Sequence, residues 1–198
     1  MFYRPENGHG LPHNPFNAIV APRPIGWIST RGEMGDNLAP YSFFNAVAYT
    51  PPQVVFSSVA AKGDRQGTKD SLAQIMENRF FCVNIPSAAQ VDAVNASSAA
   101  MPAGMSEFEA AGIESAPCET IPCLRVKHAP ASLECRATQI VPLAGQANYL
   151  VIGVVTGIHL RDDCIIDGRF KPAEGWLARL GYKDYAAVTE LFERERPA

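Results

Sequence analysis

The fifty residues from Pro22 to Ser71 alternate short apolar runs with turn signals, and this rhythm reads as β structure. Ile25–Thr30 predicts a strand, and Gly32, Gly35, Asp36 and Asn37 mark the turn after it. Ser42–Tyr49 and Gln53–Val59 predict two more strands. Thr50-Pro51-Pro52 separates them, because proline has no N–H to donate to a ladder. Thr68–Arg79 changes to helical periodicity. Thr68 is the expected N-cap, Asp70 suits the positive first turn, and Leu72, Ile75 and Met76 share a face.

Phe80–Ile85 predicts a buried strand, and the alanine-rich Ala88–Ala100 a weak helix. Ser106 opens another short helix, with Glu109 at capping-box spacing and Gly112 as its stop. Leu133–Pro142, Asn148–Leu160 and Cys164–Ile166 return to strand patterns, and Asp167-Gly168 signals a turn. Trp176–Leu180 reads as a short turn and Tyr185–Arg194 as a final helix. Residues 1–17 carry Pro5, Pro12, Pro15, Gly8 and Gly10, the composition of an extended lead-in. No internal repeat or long linker interrupts 1–198, so one domain with a helical tail at 185–198 is expected. Six or seven strands with helices between them predict a mainly β protein, an antiparallel barrel with helical excursions.

With 47% hydrophobic and 19% charged residues, the chain has the makeup of an ordered globular protein. A net charge of −3 with scattered basic residues gives no footprint for nucleic acid. Apolar runs such as Tyr149–Val155 are too short to span a bilayer, and MFYRPENGHG lacks the apolar core of a signal peptide. The five cysteines are irregularly spaced. Cys82 and Cys135 read as small hydrophobes in strands, and Cys118 with Cys123 as a redox pair, half a metal site or, more simply, reduced loop residues. A reduced, cytoplasmic protein is expected.

The Pro22–Ser71 stretch also concentrates chemistry. Hydroxyls (Ser29, Thr30, Ser42, Ser57, Ser58, Thr68, Ser71) lie among cations (Arg23, Lys62, Arg65, Lys69) and rings (Trp27, Tyr41, Phe43, Phe44). That mixture suits a planar, phosphorylated ligand: rings bury the plane while hydroxyls, amides and cations hold the phosphate. Gly67-Thr68-Lys69-Asp70-Ser71 places a hydroxyl and a lysine at a helix N-terminus, where free amides and the dipole favour an anion. The bland alternative is an ordinary helix start with a solvated basic loop. Neither GxxxxGK[ST] nor GxGxxG is present, which argues against a P-loop or a Rossmann site. Asn37, Ser42 and Asn45 can bond the polar edge of a heterocycle. Phe43 and Phe44 should divide, one to the core and one to the ligand or a subunit contact.

APRPIGWIST, NLAPYSFFNAVAYTPPQVVFSS and TKDSLAQI, followed in order by FCVNIP, MSEFEAAGIE, SLECRATQIVPL, LVIGVVTGIHL, IIDGRF and ARLGYKDY, resemble the flavin reductase-like family of FMN-binding split barrels. That group includes flavoredoxins and reductase components of two-component monooxygenases. The resemblance implies a six-stranded antiparallel split barrel with Greek-key topology, forming a homodimer with FMN near the interface. It implies that Arg23, Pro24, Ser29, Thr30, Ala39, Pro40, Tyr41, Ser42, Phe43 and Asn45 line the flavin. Ser57, Ser58, Thr68, Lys69 and Ser71 are implied around the phosphate, assisted by Lys62 or Arg65. Arg179 and Tyr185 of the RLG ending would close the pocket, with Tyr182 where the family often has a second glycine.

The implied chemistry is hydride transfer from NADH or NADPH to flavin, with reduced flavin or electrons passed to an acceptor such as a monooxygenase. The alternative is a flavoredoxin-like electron carrier with tightly held FMN and no direct NAD(P)H activity. Hydride transfer needs no acid–base residue, and the sequence offers none: no catalytic or metal-binding set is expected, and His128 and His159 read as structural.

Overall fold

In the computed structural model of the protein, residues 1–60, 68–102 and 104–197 are described. Seven strands form the main sheet: β1 (Gly26–Gly32), β2 (Gly35–Tyr41), β3 (Phe44–Tyr49), β4 (Pro52–Ser58), β5 (Phe80–Ile85), β6 (Ala131–Pro142) and β7 (Tyr149–Leu160). All neighbours are antiparallel, in the order β2-β1-β5-β6-β7-β4-β3. The chain runs through the β1–β2 and β3–β4 hairpins at opposite ends of this order, then returns to place β5 beside β1, a Greek-key crossing. The resemblance implied six strands; the sheet has seven.

This order forces the sheet to curl. A flat sheet of this width would hold its edges about 29 Å apart at the usual strand spacing. Yet β2 ends at Tyr41 and β3 begins at Phe44, on opposite edges. Three Cα steps reach at most about 11 Å. The edges must therefore face each other, and the seam between them is the split of a split barrel. Beside it the β3–β4 ladder runs on by one residue, with Ser57 N–H donating to the Phe43 carbonyl at 2.8 Å.

Period-two alternation then sorts the side chains into two layers. Ile28, Phe56, Phe81, Val83 and Val151 meet inside the barrel with Leu72 and Ile75 of the helix Asp70–Asn78, which stops one end. Trp27 and Leu38 point outward and pack with Val94, Phe108, Val126 and Leu177. Phe44 belongs to the inner core while Phe43 is only partly buried at the seam, so the two rings divide. Asn84, fully buried on β5, donates to Trp27 O (2.9 Å) and Ser29 Oγ (3.2 Å) and accepts from Val126 N–H and Ser132 Oγ (both 2.8 Å). That satisfies the amide completely and ties three strands together.

Four local readings need correction. The expected final helix is a strand: Tyr185–Val188 pairs with Trp176–Arg179, itself read as a turn, and the latter pairs with Arg23–Pro24. Pairing and burial of Leu177 and Ala178 outweigh a weak local helix preference, and residues 189–197 have no regular structure. The helix expected from Thr68 starts at Asp70 with Lys69 as the extended N-cap, and no side chain caps it. At Glu107–Ala110 there is no capping box either; Glu107, not Glu109, is engaged, accepting the Leu38 N–H at 2.9 Å. That bond ends β2's outer edge with a side chain rather than another strand.

The close packing of the barrel can be tested at Gly153. A Cβ there would lie 2.4 Å from the Phe81 ring, deep in the core. Gly153→Ala is expected to destabilise the fold by about 1–3 kcal/mol through overpacking. Urea unfolding measures it, and an unchanged midpoint would show that Phe81 has room to move.

Candidate functional site

The seam opens into a cleft built on β2 and the crossing that follows it. One part, about 310 Å³, lies between Asn37 and Ala39–Tyr41, the helix start at Lys69–Ser71, and the segment Ser97–Ala100 with Glu107. A second, about 300 Å³, is bounded by Pro40–Phe43, Ser57, Lys69, Arg23, Arg179 and Tyr182. A third, about 210 Å³, adds Ile25, Asn95, Ser98 and Tyr185. Pro40 lines all three, Tyr41 and Lys69 join the first to the second, and Ser42 and Arg179 join the second to the third. The parts are one elongated cleft of ligand-site dimensions.

Its local chemistry follows from β2 being an edge strand. The Leu38 N–H faces outward, and alternation puts Pro40 and Ser42 on that same edge. A proline is tolerated there because the missing N–H has no neighbouring strand to serve. The cleft wall is therefore largely backbone.

Three cations stand over aromatic faces around the opening. Lys69 Nζ is 5.5 Å from the Tyr41 ring centre, Arg23 is 5.8 Å from Phe43 and Arg179 is 4.4 Å from Tyr185. Such contacts hold flexible cations in place. Arg23 is buried and spends its guanidinium on the carbonyls of Asn17, Val20 and Leu180 (2.7 Å) and on Ser42 Oγ (3.4 Å). Burial, with Arg179 nearby, lowers its pKa. It fastens the lead-in and the 179–182 turn to the cleft. Arg179 supports that turn through the carbonyls of Tyr182 (2.8 Å) and Asp184 (3.1 Å).

The sequence-derived residues separate by strand face. Ala39, Pro40, Tyr41, Ser42, Phe43, Ser57, Lys69, Ser71, Arg23, Arg179 and Tyr185 all line the cleft. Thr30 lies beneath it, buried, donating to Gln74 Oε1 at 2.5 Å and reached by Asn37. Ser58 is buried next to Ser57. Pro24 faces a different, apolar hollow with Trp176 and Val188. Ser29 points outward and donates to Leu124 O at 2.6 Å, and Asn45 is exposed on β3, bonded to its neighbour's amide. Thr68 is half-buried outside the three cleft parts. Lys62 and Arg65 lie outside the described residues.

Sequence reading left out Asn17, Ser97, Ser98 and Glu107, which come from segments distant in sequence and carry no local motif. Asn37 holds the cleft floor, donating to Ser71 Oγ at 2.8 Å. Two buried hydroxyls there, Tyr41 Oη and Ser58 Oγ, have no hydrogen-bond partner of good geometry among the described residues. Burial pushes the Tyr41 phenol up, offset in part by the nearby Ser71 and Ser58 hydroxyls. The three hydroxyls together make a polar patch at and beneath the cleft floor. With mobile-chain cations, a helix N-terminus and a backbone edge, the donor set fits a flat anionic cofactor.

Neither His128 nor His159 enters the cleft. His128 is exposed beside Glu114, and His159 bonds Glu134 on the outer barrel face at 2.5 Å. Glu134 is fully buried and also accepts from Glu119 N–H and Thr120 N–H (both 2.6 Å) and Thr120 Oγ1 (2.5 Å). Burial alone would raise its pKa. The bonds from Thr120, His159 and the two amides outweigh it and bring the carboxyl to about 2.

A curl of antiparallel strands with a cofactor-sized cleft at its seam defines a split-barrel protein built to hold a flat ligand. Comparison with known proteins assigns the family. A family model described as the flavin reductase like domain matches residues 20–173, and the chain belongs to that family of flavin-binding oxidoreductases. An uncharacterized protein of Deinococcus radiodurans is 42% identical over 157 residues, covering 76% of this chain and 66% of that relative. Nitrilotriacetate monooxygenase component B from Bacillus cereus superposes with a TM-score of 0.83 at 30% identity, over 94% of this chain and 100% of that one. The Pseudomonas fluorescens 2-nitrobenzoate 2-nitroreductase gives 0.79 at 27% identity, over 92% and 88%. No helix among the described residues is long and apolar enough to cross a membrane.

Glu134 yields a pH prediction. Its folded value near 2 lies below the ordinary 4.5, so its bonds stabilise the fold above that ordinary value and are lost as pH falls toward 2. Denaturant midpoints measured from neutral pH downward should decline less steeply through this window for Glu134→Gln than for the parent. Parallel declines would remove Glu134 from acid unfolding.

Proposed function

We propose that the protein is an FMN-dependent NAD(P)H:flavin oxidoreductase that works as a homodimer in the cytoplasm and passes reduced flavin or electrons to a partner monooxygenase or electron carrier. The cleft at the seam carries this reading, since it combines a backbone wall, aromatic neighbours and cations in a flavin-binding family. The partner enzyme is supported by likeness to a protein that is itself a monooxygenase component.

When bound, FMN would supply a ring that accepts hydride at N5. The chain's own groups would do the rest. Lys69, Ser71 and the first amides of the helix Asp70–Asn78 would hold the phosphate, with Ser57, Ser58 and Thr68 near it and Lys62 or Arg65 assisting. The edge of β2 from Ala39 to Ser42, with Phe43, would orient the ring and bond its polar rim. Arg179 and Tyr185 would close the far end, and Arg23 would keep that end assembled rather than touch the phosphate. Fixed amides and cations at the rim stabilise negative charge that develops there without reorganising. No side chain needs to move a proton.

Two measurements test the reading. Lys69→Ala should weaken FMN binding by about 1–3 kcal/mol in a fluorescence titration. Unchanged affinity would remove Lys69 from the phosphate site. Anaerobic mixing of the FMN-loaded protein with NADH and NADPH should bleach the flavin with at least one donor. A flavin that stays oxidised with both would leave an electron carrier and overturn the reductase.

A further inference from the structure

On the outer face of the barrel, away from the cleft, the strands Ser115–Pro117 and Leu124–Val126 form a small antiparallel hairpin. Its register pairs Ser115 with Val126, Ala116 with Arg125 and Pro117 with Leu124. One step further, Cys118 stands directly opposite Cys123, and Cys118 N–H donates to the Cys123 carbonyl at 3.0 Å. Both cysteines are reduced and pack into one cluster with Cys82, Ile121 and Phe80. The Cys118 thiol lies against the buried Cys82 thiol, and Cys123 packs in the same cluster. Cys123 is buried, whereas Cys118 is partly open to solvent. No group of His, Cys, Asp or Glu with the makings of a metal site occurs among the described residues.

We propose that Cys118 and Cys123 are a reversible, peroxide-responsive disulfide site. Directly opposed residues of a hydrogen-bonded antiparallel pair have Cα atoms about 5.5 Å apart, inside the range that a disulfide bridges. In pairs of this kind the Cβ atoms stand wider than a relaxed disulfide prefers, so a bridge formed there would be readily reduced, as labile disulfides are.

The more accessible Cys118 thiolate attacks one oxygen of hydrogen peroxide. The S–O bond forms as the O–O bond breaks, and the departing hydroxide takes up a proton as water. The Cys123 sulfur then attacks the Cys118 sulfur. The S–S bond forms, the S–O bond breaks, and a second water leaves with the Cys123 proton. Two thiols lose two electrons and peroxide becomes two waters. Burial, with Cys118 beside it, raises Cys123 to about 12, so Cys123 is not the first attacker. The bridge would sit at the base of the loop whose Glu119 and Thr120 amides hold Glu134, joining the redox state to that clamp.

Peptide mapping tests this on the whole protein. After hydrogen peroxide treatment and alkylation of remaining thiols, a glutamate-specific protease cuts after Glu114 and Glu119, leaving Cys118 and Cys123 on separate peptides. A Cys118–Cys123 crosslinked pair is expected, released by glutathione with return of all five alkylatable thiols. Cys118→Ser and Cys123→Ser should abolish it and Cys82→Ser should keep it. The parent map decides even where a variant folds poorly. A Cys82–Cys118 link, sulfinic acid at Cys118 with Cys123 still alkylated, no crosslink at all, or a crosslink that glutathione does not release would each overturn the proposal.

Discussion

Ser42 and Phe43 carry the strand path from one edge of a seven-stranded sheet to the other, and most of the architecture follows from the shortness of that bridge. Two residues cannot span a flat sheet, so the strands must curl until their free edges meet. Once curled, the sheet needs a filled interior, which Phe56, Phe81 and the helix Asp70–Asn78 supply. The edges meet without pairing, and the unpaired backbone of β2 becomes the wall of the cleft. Closure and cleft are thus two results of one constraint. The same bridge explains why Tyr41, Ser42, Phe43 and Ser57 meet although they belong to opposite ends of the sheet.

An exposed strand edge invites pairing with another chain. Here Glu107 occupies one outward amide of β2, and Pro40 removes another. The cations over Tyr41, Phe43 and Tyr185 guard the remainder. The same devices shape the cleft: they leave carbonyls and one serine amide available, hold positive charge at the rim and keep the aromatic faces covered. In a chain of net charge −3, this local positive rim is set by placement rather than by composition.

Strand rhythm was legible where alternation and prolines coincide. Phe80–Ile85 appears with the predicted bounds, and of the expected break Thr50 and Pro51 fall between β3 and β4, while Pro52 opens β4 opposite Tyr49. β2 was less legible, because Gly35-Asp36-Asn37 and Pro40 read as turn and site chemistry rather than as an edge strand. Tyr185–Val188 looked helical because its pairing partners, Trp176–Arg179, give no local sign of it. Resemblance brought the cleft residues together across the chain, but period two decided which of them face it. Ser29 and Ser42 are alike in sequence. One is bonded to Leu124 O on the outer layer, and the other stands on the edge that meets the cleft.

The hydroxyl-rich composition of Pro22–Ser71 therefore has two causes. Ser29 and Thr30 hold the outer and inner polar layers of β1, each bonded to a partner far along the chain. Ser42 and Ser57 lie at the cleft, and Ser71 serves both, accepting from Asn37 while lining the floor. A buried polar layer must be satisfied bond by bond, so its residues are tied to particular partners. A backbone edge has no such dependence: it offers the same carbonyls and amides whatever side chains it bears, proline excepted. A cleft walled by such an edge can persist while side chains around it change, and a fold shared with the Bacillus cereus protein at 30% identity and TM-score 0.83 is compatible with that.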